Sequence, residues 1–388
     1  MAITSATGGI ITNYTSSGTN YRSHTFLTTD QLQITGSGTV ALLIVGGGGG
    51  GSLGGGGESN TTNRGNGGGG GGFISRSLSL TAGIWSVAVG DGGLGGTTNI
   101  SATAGQVSSF GKSATALVSS SYADGAFFQL TGSTVGQFYV TSSTSQVDAA
   151  PIYYILTGST ATLTMASIAA KLNTLTSTFN ITATGSATNL QLTASVGGLG
   201  NTFTYASASI TQPFAGEVYV TASYGGFGGQ PEGGAGASGG GSYPTGAAAI
   251  FADSGSVGGA QGGKSGAGGG GAATAGSDSN VTYVNPFTIY TGGAGGLGVS
   301  SSLRNGTGSY YADGGGGGGW VNSGAGGGVG GSGTTGGSTG GGMQSRGGEH
   351  GSANTGAGGG GGALSDQSSN WGNGGNGGSG IIVVTYTV

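Results

Sequence analysis

The sequence predicts a mainly β protein: a short β-sandwich-like base, bundled polyglycine II helices, and an inserted small α+β domain. Three observations carry this. Glycine supplies 101 of 388 residues, much of it in unbroken runs such as Gly46 to Gly51 and Gly67 to Gly72. Strongly β-prone runs stand on either side of those glycines, the last of them reading IIVVTYTV at Ile381 to Val388. Inside the glycine-rich stretches the remaining residues recur at every third position.

The base comes first. Thr25 to Leu27, Gln31 to Thr35 and Val40 to Val45 are β-prone runs separated by TTD and GSG turns. The third is continuously apolar, which predicts a strand covered on both faces. Phe73 to Leu80 and Ile84 to Val89 flank Thr81-Ala82-Gly83 and predict a hairpin. The closing run at Ile381 is expected to pair with a strand from the first 90 residues.

Residues 113–223 hold nine of the 101 glycines and differ in kind. Strand patterns at Phe127 to Leu130, Gln137 to Val140 and Ile152 to Leu156 precede a helical one at Met165 to Thr178. There Ile168, Leu172 and Leu175 fall at i, i+4 and i+7 on one face. Phe179 to Thr182, Leu190 to Thr193 and Phe203 to Tyr205 then alternate as half-buried strands. The expected organisation is a β base with the first glycine runs over 1–112, the inserted module over 113–224, and a glycine-rich body with its closing strand over 225–388.

Glycine loses more freedom on folding than any other residue and cannot fill a core. The runs are therefore either a flexible tether or backbone packed on backbone. The triplet spacing favours packing. It appears in Asp91, Leu94 and Thr97, in Tyr224, Phe227 and Gln230, and in Ala294 and Leu297. Val329, Ser332, Thr335 and Ser338 repeat it, as do Asn373, Asn376 and Ser379. A spacing of three matches an extended left-handed helix of polyproline II type, which has no internal hydrogen bonds. Two of its edges are bare glycine, so neighbouring helices come close enough to exchange N–H and C=O bonds, the partners that buried backbone requires. Collagen is excluded, because these runs carry two glycines per triplet and the chain has five prolines. The opening run is read as a strand passing into a helix at Gly46, interrupted at Ser52 and Leu53. It turns through Glu58 to Asn66 and returns from Gly67 into Phe73.

Composition narrows function. There is no cysteine, hence no disulfide, thiolate metal site or thiol nucleophile. The 8 Lys plus Arg are scattered and the net charge is −4, which speaks against nucleic acid as a partner. No apolar run reaches the roughly 18 residues that a membrane span needs, and the MAITSATGGI start lacks a secretory-signal pattern. Neither membrane insertion nor a secretory signal peptide is expected.

Chemistry is equally sparse. Gly258 to Ser265 matches GxxxxGK[ST] in letters, but GAGGGGAATAG follows where a phosphate-binding loop requires a helix. His350 lies near Glu349 and Arg346, an arrangement that acid–base work could use and that a solvated loop also explains. His24 is read as packing or capping. No enzyme activity, cofactor or metal is expected. The candidates for recognition are aromatic and polar residues in breaks between glycine runs: Tyr243, Tyr283, Tyr290, Trp320, Asn322 and Trp371, with Glu58 and Arg64 in the first turn. Aromatic rings stack on sugars or fill pockets at low entropic cost. The other reading is that they plug the edges of the bundle.

The segments YRSHTF, GTVALLIVGGGGGG, LTAGIWSVAVGDGGLGG, YYADGGGGGGW, SANTGAGGGGGAL and GGSGIIVVTYTV together resemble the glycine-rich domain of bacteriophage tail fibres and related virion appendages. The resemblance covers roughly residues 21–112 and 225–388. The inserted segment, with ASIAAKLNTL and FNITATGSATNLQLTA, is similar to a small module of phage tail proteins. The resemblance implies polyglycine helices stacked into a sandwich, with receptor contacts on loops at one end. The expected function is that of a non-enzymatic fibre or tip adhesin on the virion surface, attaching to a protein or glycan receptor of the host. Other virion fibre or tail proteins are the expected neighbours, and a homo-oligomer, such as a trimer, or a monomeric tip the expected state. Two alternatives are a structural fibre or capsid-decoration subunit without a receptor, and an ice-binding protein. The second calls for regular Thr or Ala triplets that the mixed side chains here do not supply.

Overall fold

The computed structural model describes residues 3–54, 65–112, 116–119, 127–131, 135–156, 161–175, 181–186, 189–194, 204–207, 211–213, 220–229, 233–242, 246–249, 255–260, 265–284, 287–321, 347–363 and 372–388. Contacts divide the chain into two compact units. One comprises Met1–Gly83, Val87–Phe110 and Val220–Val388, the other Ile84–Ser86 and Gly111–Tyr219.

The chain opens with β1 (Ile3–Thr7), β2 (Ile10–Ser16), β3 (Thr19–Phe26), β4 (Asp30–Gly36), β5 (Gly38–Val45), β6 (Phe73–Leu80), β7 (Gly83–Ala88) and β8 (Ser108–Lys112). The second unit contributes β9 (Ala116–Ser119), β10 (Phe127–Thr131), β11 (Val135–Thr141), β12 (Ile152–Leu156), α1 (Ala161–Thr174), β13 (Ile181–Ser186), β14 (Asn189–Ala194), β15 (Thr204–Ser207) and β16 (Thr211–Pro213). Then come β17 (Val220–Ala222), β18 (Asn280–Val284), β19 (Phe287–Thr291), β20 (Val299–Ser301), β21 (Ser309–Tyr311), β22 (Trp320–Val321) and β23 (Ile381–Thr387). The protein is mainly β with a single helix among the described residues.

The base holds two five-stranded sheets, β2-β3-β23-β5-β6 within the first unit and β1-β4-β7-β8-β17, whose strands β7 and β8 are divided between the two units. The closing strand β23 sits between β3 and β5 and pairs antiparallel with both, Val383 lying opposite Thr25 and Leu43. Central position explains the unbroken apolar sequences of β5 and β23: Leu42, Leu43, Ile44 and Val45 face Ile381 to Val384, and all eight are fully buried. One face of this sheet packs on the β20–β21 hairpin, where Leu43, Val45, Phe73, Ile381 and Val383 meet Tyr311 and Ala312. The Leu303 carbonyl in that hairpin also accepts the Thr385 hydroxyl at 2.8 Å.

The expected hairpin of β6 with β7 does not form. Strand β6 pairs with β5 over its whole length, and β7 lies in the other sheet. Thr81 to Gly83 is thus a corner between sheets, and Gly83 takes the positive φ of 137° that the corner requires. Among the strands that the sequence reading passed over, β1 and β2 are short polar runs whose alternation is weak.

Above the sheets, strands become polyglycine helices. Val45 lies opposite Phe73 in the β5–β6 ladder, and Gly46 continues it by donating to the Gly72 carbonyl at 3.0 Å. From there the bonds change partner residue by residue with a period of three. Gly46, Gly49 and Ser52 donate to Gly72, Gly69 and Asn66; Gly47 and Gly50 to Gln106 and Thr103; Gly48, Gly51 and Gly54 to Gly378, Gly375 and Gly372. The carbonyls of the same run accept from Gly225 and Gly228, from Gly93 and Gly96, and from Gly359 and Gly362. The run therefore has six neighbours, three to which it donates and three from which it accepts. The return run 65–72 and the run 265–272 are likewise bonded to neighbours on all sides. The expected interruption at Ser52 does not occur, since Ser52 both donates and accepts in register.

The absence of side chains is a geometric necessity. A Cβ at Gly47, Gly48, Gly49, Gly50 or Gly51 would stand 1.9 to 2.2 Å from a carbonyl oxygen of an adjacent run. On outer runs the triplet side chains point away: Asp91, Leu94, Asn373 and Asn376 are exposed. Each central residue makes two backbone bonds, worth about 1–3 kcal/mol together, which offset the roughly 1–2 kcal/mol needed to order it. The triplets at Val329 to Ser338, and Gln230, lie outside the described residues.

In the second unit, one sheet runs β12-β11-β10-β15-β16 and another β13-β14-β9. Strands β11 and β12 are parallel, and α1 follows β12. The helix begins four residues before the expected start at Met165, yet buries the expected face: Ile168 and Leu172 have no exposure. Strands β13 and β15 fall on the expected runs from Ile181 and Thr204 onward, while Phe179, Asn180 and Phe203 lie outside the described residues.

Candidate functional site

The polarity of the bundle brings three of the candidates to one end. Runs beginning at Gly46, Gly90 and Ser223 leave the sheets, and those ending at Gly72, Val107 and Gly380 return to them. Following the hydrogen-bond register, the run at 274–279 rises beside 265–272 into β18, and the run at 292–298 descends from β19. The run at 312–319 rises beside 265–272 into β22. Strands β18, β19 and β22 therefore form a small antiparallel sheet at the end of the bundle distal to the base.

Three of the sequence candidates meet there. Tyr290 lies opposite Val281 on one side and Trp320 on the other. Directly paired residues share a face, and Tyr283, two positions beyond Val281, shares it too. The Tyr290 and Trp320 rings stand 5.0 Å apart at 58°. Their exposures differ in a way that assigns roles. Trp320 is 5% exposed at the end of the run 312–319, Tyr290 beside it is half-buried, and Tyr283 stands 80% exposed. The plugging role thus falls to Trp320 and the outward one to Tyr283.

Tyr243, Asn322, Trp371, Glu58 and Arg64 lie outside the described residues. Their described neighbours end at the same distal end. Gly54 donates to Gly372, Gly318 to Gly65, and Gly241 to Gly67. Asn66, read as part of the exposed first turn, is instead fully buried. Its side-chain amide donates to the Gly229 carbonyl, and its side-chain oxygen accepts from Ala267 N–H, both at 2.8 Å. It thereby knits three runs together.

The other singled-out residues take structural places. His24 is inside β3, fully buried, with Nδ1–H donating to the Gly8 carbonyl at 2.7 Å and its ring stacked on Tyr386. Burial lowers its pKa below the ordinary 6.5, more than the Gly8 bond raises it, and the nearby Arg22 charge lowers it further. His350 is exposed and accepts the Asn376 N–H at 2.9 Å. In the GxxxxGK[ST]-like stretch, residues 261–264 lie outside the described residues, and 265–272 is a polyglycine run rather than a helix. Among the described residues no cluster of three or more His, Asp or Glu could hold a metal ion.

The second unit carries a shallow cleft of about 380 Å³ between the loop after β11, β12 and α1. Thr141, Ser143, Gln146, Tyr154 and Leu156 line it, with Asp148 and Lys171. Lys171 Nζ donates to Asp148 Oδ2, and the Tyr154 N–H donates to Oδ1 at 2.9 Å. Burial raises the Asp148 pKa, but these two bonds and the Lys171 charge outweigh it and leave it below the ordinary carboxylate value. The pair closes on itself, and sequence reasoning missed it because the two residues are 23 positions apart.

The chain belongs to the glycine-rich domain family, whose model matches residues 25–151 and 157–387. The match runs through much of the α+β segment as well as the glycine runs. No curated protein matches the sequence.

Proposed function

We propose that the protein is a non-enzymatic appendage of a bacteriophage virion, a tail fibre or tip adhesin, that attaches to the host surface through the distal end of its polyglycine bundle. The observation that carries this reading is Tyr283, an aromatic ring 80% exposed on a sheet that the bundle holds away from its base. The mechanism is presentation. A stiff backbone array fixes the distal strands, so contact with a protein or glycan orders little that is not already ordered. The appendage sits on the virion surface beside other fibre or tail proteins, and the inserted unit is a phage-tail-type module. The resemblance of the glycine-rich segments to phage fibre domains supports the setting.

The test pairs two variants of the purified protein in a host-cell binding assay. Tyr283→Ala is expected to lose binding with an unchanged melting temperature, and Trp320→Ala to lose stability. Full cell binding by Tyr283→Ala, or no binding to any cell by the parent protein, would sink the proposal. The latter would leave the reading of a structural subunit.

A further inference from the structure

Inside the bundle each residue gives its N–H to one neighbouring run and its C=O to another. Gly49, for example, donates to Gly69 and accepts from Gly359. A run on the flank lacks one of those neighbours and would leave a backbone group facing outward. At four surface positions a single neighbour takes both groups. Leu94 N–H donates to Thr103 Oγ1 at 2.8 Å, while the Leu94 carbonyl accepts the Thr103 N–H at 2.9 Å. Leu297 N–H donates to Thr274 Oγ1 at 2.7 Å, and its carbonyl accepts from Ala273 at 2.8 Å. Ala260 N–H donates to Asp278 Oδ1 at 2.6 Å, and its carbonyl accepts from Ser279 at 3.2 Å. Asn376 N–H donates to His350 Nδ1 at 2.9 Å, and its carbonyl accepts from Gly351 at 2.8 Å. Asn376 in turn offers Oδ1 to the Gly95 N–H at 2.8 Å.

The same two-point clamp thus recurs between four different pairs of runs, and Thr103, Thr274, Asp278, His350 and Asn376 are all exposed. The physical need is clear. A row of outward N–H groups is a template for another chain, and bare glycine lets a second chain approach as closely as the bundle's own runs do. A side-chain oxygen or imidazole nitrogen on each outward N–H removes the donor. Leu94 and Leu297, 52% and 43% exposed, add bulk at two of the same positions.

We propose that these clamps seal the flanks of the bundle against a second copy of this chain, making the array self-limiting. The inference rests on the hydrogen bonds of the bundle alone and is independent of host attachment. It is tested by the triple variant Thr103→Val, Thr274→Val and Asn376→Leu, which keeps side-chain bulk and removes three acceptors. The parent protein is expected to sediment at one mass over the accessible concentration range. In the variant, the amides of Leu94, Gly95 and Leu297 should exchange at least about fivefold faster, the factor an ordinary hydrogen bond supports. Its mass should rise with concentration, with side-by-side assemblies visible by electron microscopy. Three results would each overturn the proposal: lateral association of the parent protein, unchanged exchange at those amides, or freed amides with an unchanged mass. Should the triple variant fail to fold, Thr103→Val compared with Thr103→Ser carries the same test. Serine keeps the hydroxyl, so only the valine variant should associate, and equal behaviour of the two overturns the idea.

Discussion

At the scale of the residue, glycine acts here through what it lacks. A methyl group on Gly49 would sit 2.1 Å from the Gly226 carbonyl oxygen, and that atom belongs to another run held on its far side. Neither can move alone. Gly49→Ala is expected to cost about 3 kcal/mol or more, at the upper end of overpacking, seen as a large fall in melting temperature. Leu94→Ala, on an outward position of the same triplet pattern, should stay within about 0.5 kcal/mol. His24 adds a dependence on pH. Its folded pKa lies below the unfolded 6.5, so on acidification the unfolded chain takes up a proton before the folded one does. Its contribution is therefore intact above about pH 6.5 and is lost as pH falls through the lowered folded value. Melting temperatures of the parent and His24→Gln between about pH 8 and pH 5 should diverge most at the upper end, with a shallower acid slope for the variant.

At the scale of the element, the distal sheet separates packing from presentation. Trp320 is buried against Tyr290, and Trp320→Ala should cost about 3–5 kcal/mol by leaving a cavity. Tyr283 packs on little, and Tyr283→Ala should change stability by less than about 0.5 kcal/mol. Denaturant melts of both variants check the contrast. Sequence alone singled out both residues and could not divide the roles, because exposure depends on where a three-residue turn of one run ends relative to its neighbours. The hairpin expected at Thr81 to Gly83 failed for a related reason. Local pattern marks two strands and a turn, but β6 pairs with β5, and the glycine runs that extend these two strands pair with each other. In the second unit the ion pair of Lys171 with Asp148 gives a direction to test. Lys171→Met removes the bond and charge that hold the carboxyl down, so the Asp148 pKa should rise, as read by NMR titration.

At the scale of the molecule, stability and polarity have one source. The runs 46–54, 65–72 and 265–272, surrounded by bonded neighbours, should show the slowest amide exchange of the bundle, and outer positions such as Gly347 the fastest. Random-coil exchange at Gly48 to Gly51 would refute the packed array. The strand-to-helix passage at Val45, Ala222 and Gly380 gives the bundle a base and a distal end. The chain has no cysteine, so single cysteines report on that polarity. A bulky label on Tyr283→Cys should block cell binding, and the same label on Val388→Cys, at the exposed basal end of β23, should leave it unchanged.

The sequence by itself determined the class of structure. Two glycines per triplet at a spacing of three favour an extended three-fold helix with bare edges over a tether, and the apolar run at Val40 to Val45 marks a strand covered on both faces, with the run at Ile381 to Val384 as its closing partner. It also marked Tyr283, Tyr290 and Trp320 as breaks in that pattern. Which run lies beside which was decided only in the tertiary structure. Polyglycine helices carry almost no side chains to encode a partner, so neighbours follow from the strands that feed them and from a few plugs such as Asn66. The exposed ring and the buried ring are consequences of that arrangement, because each depends on which run ends beside it.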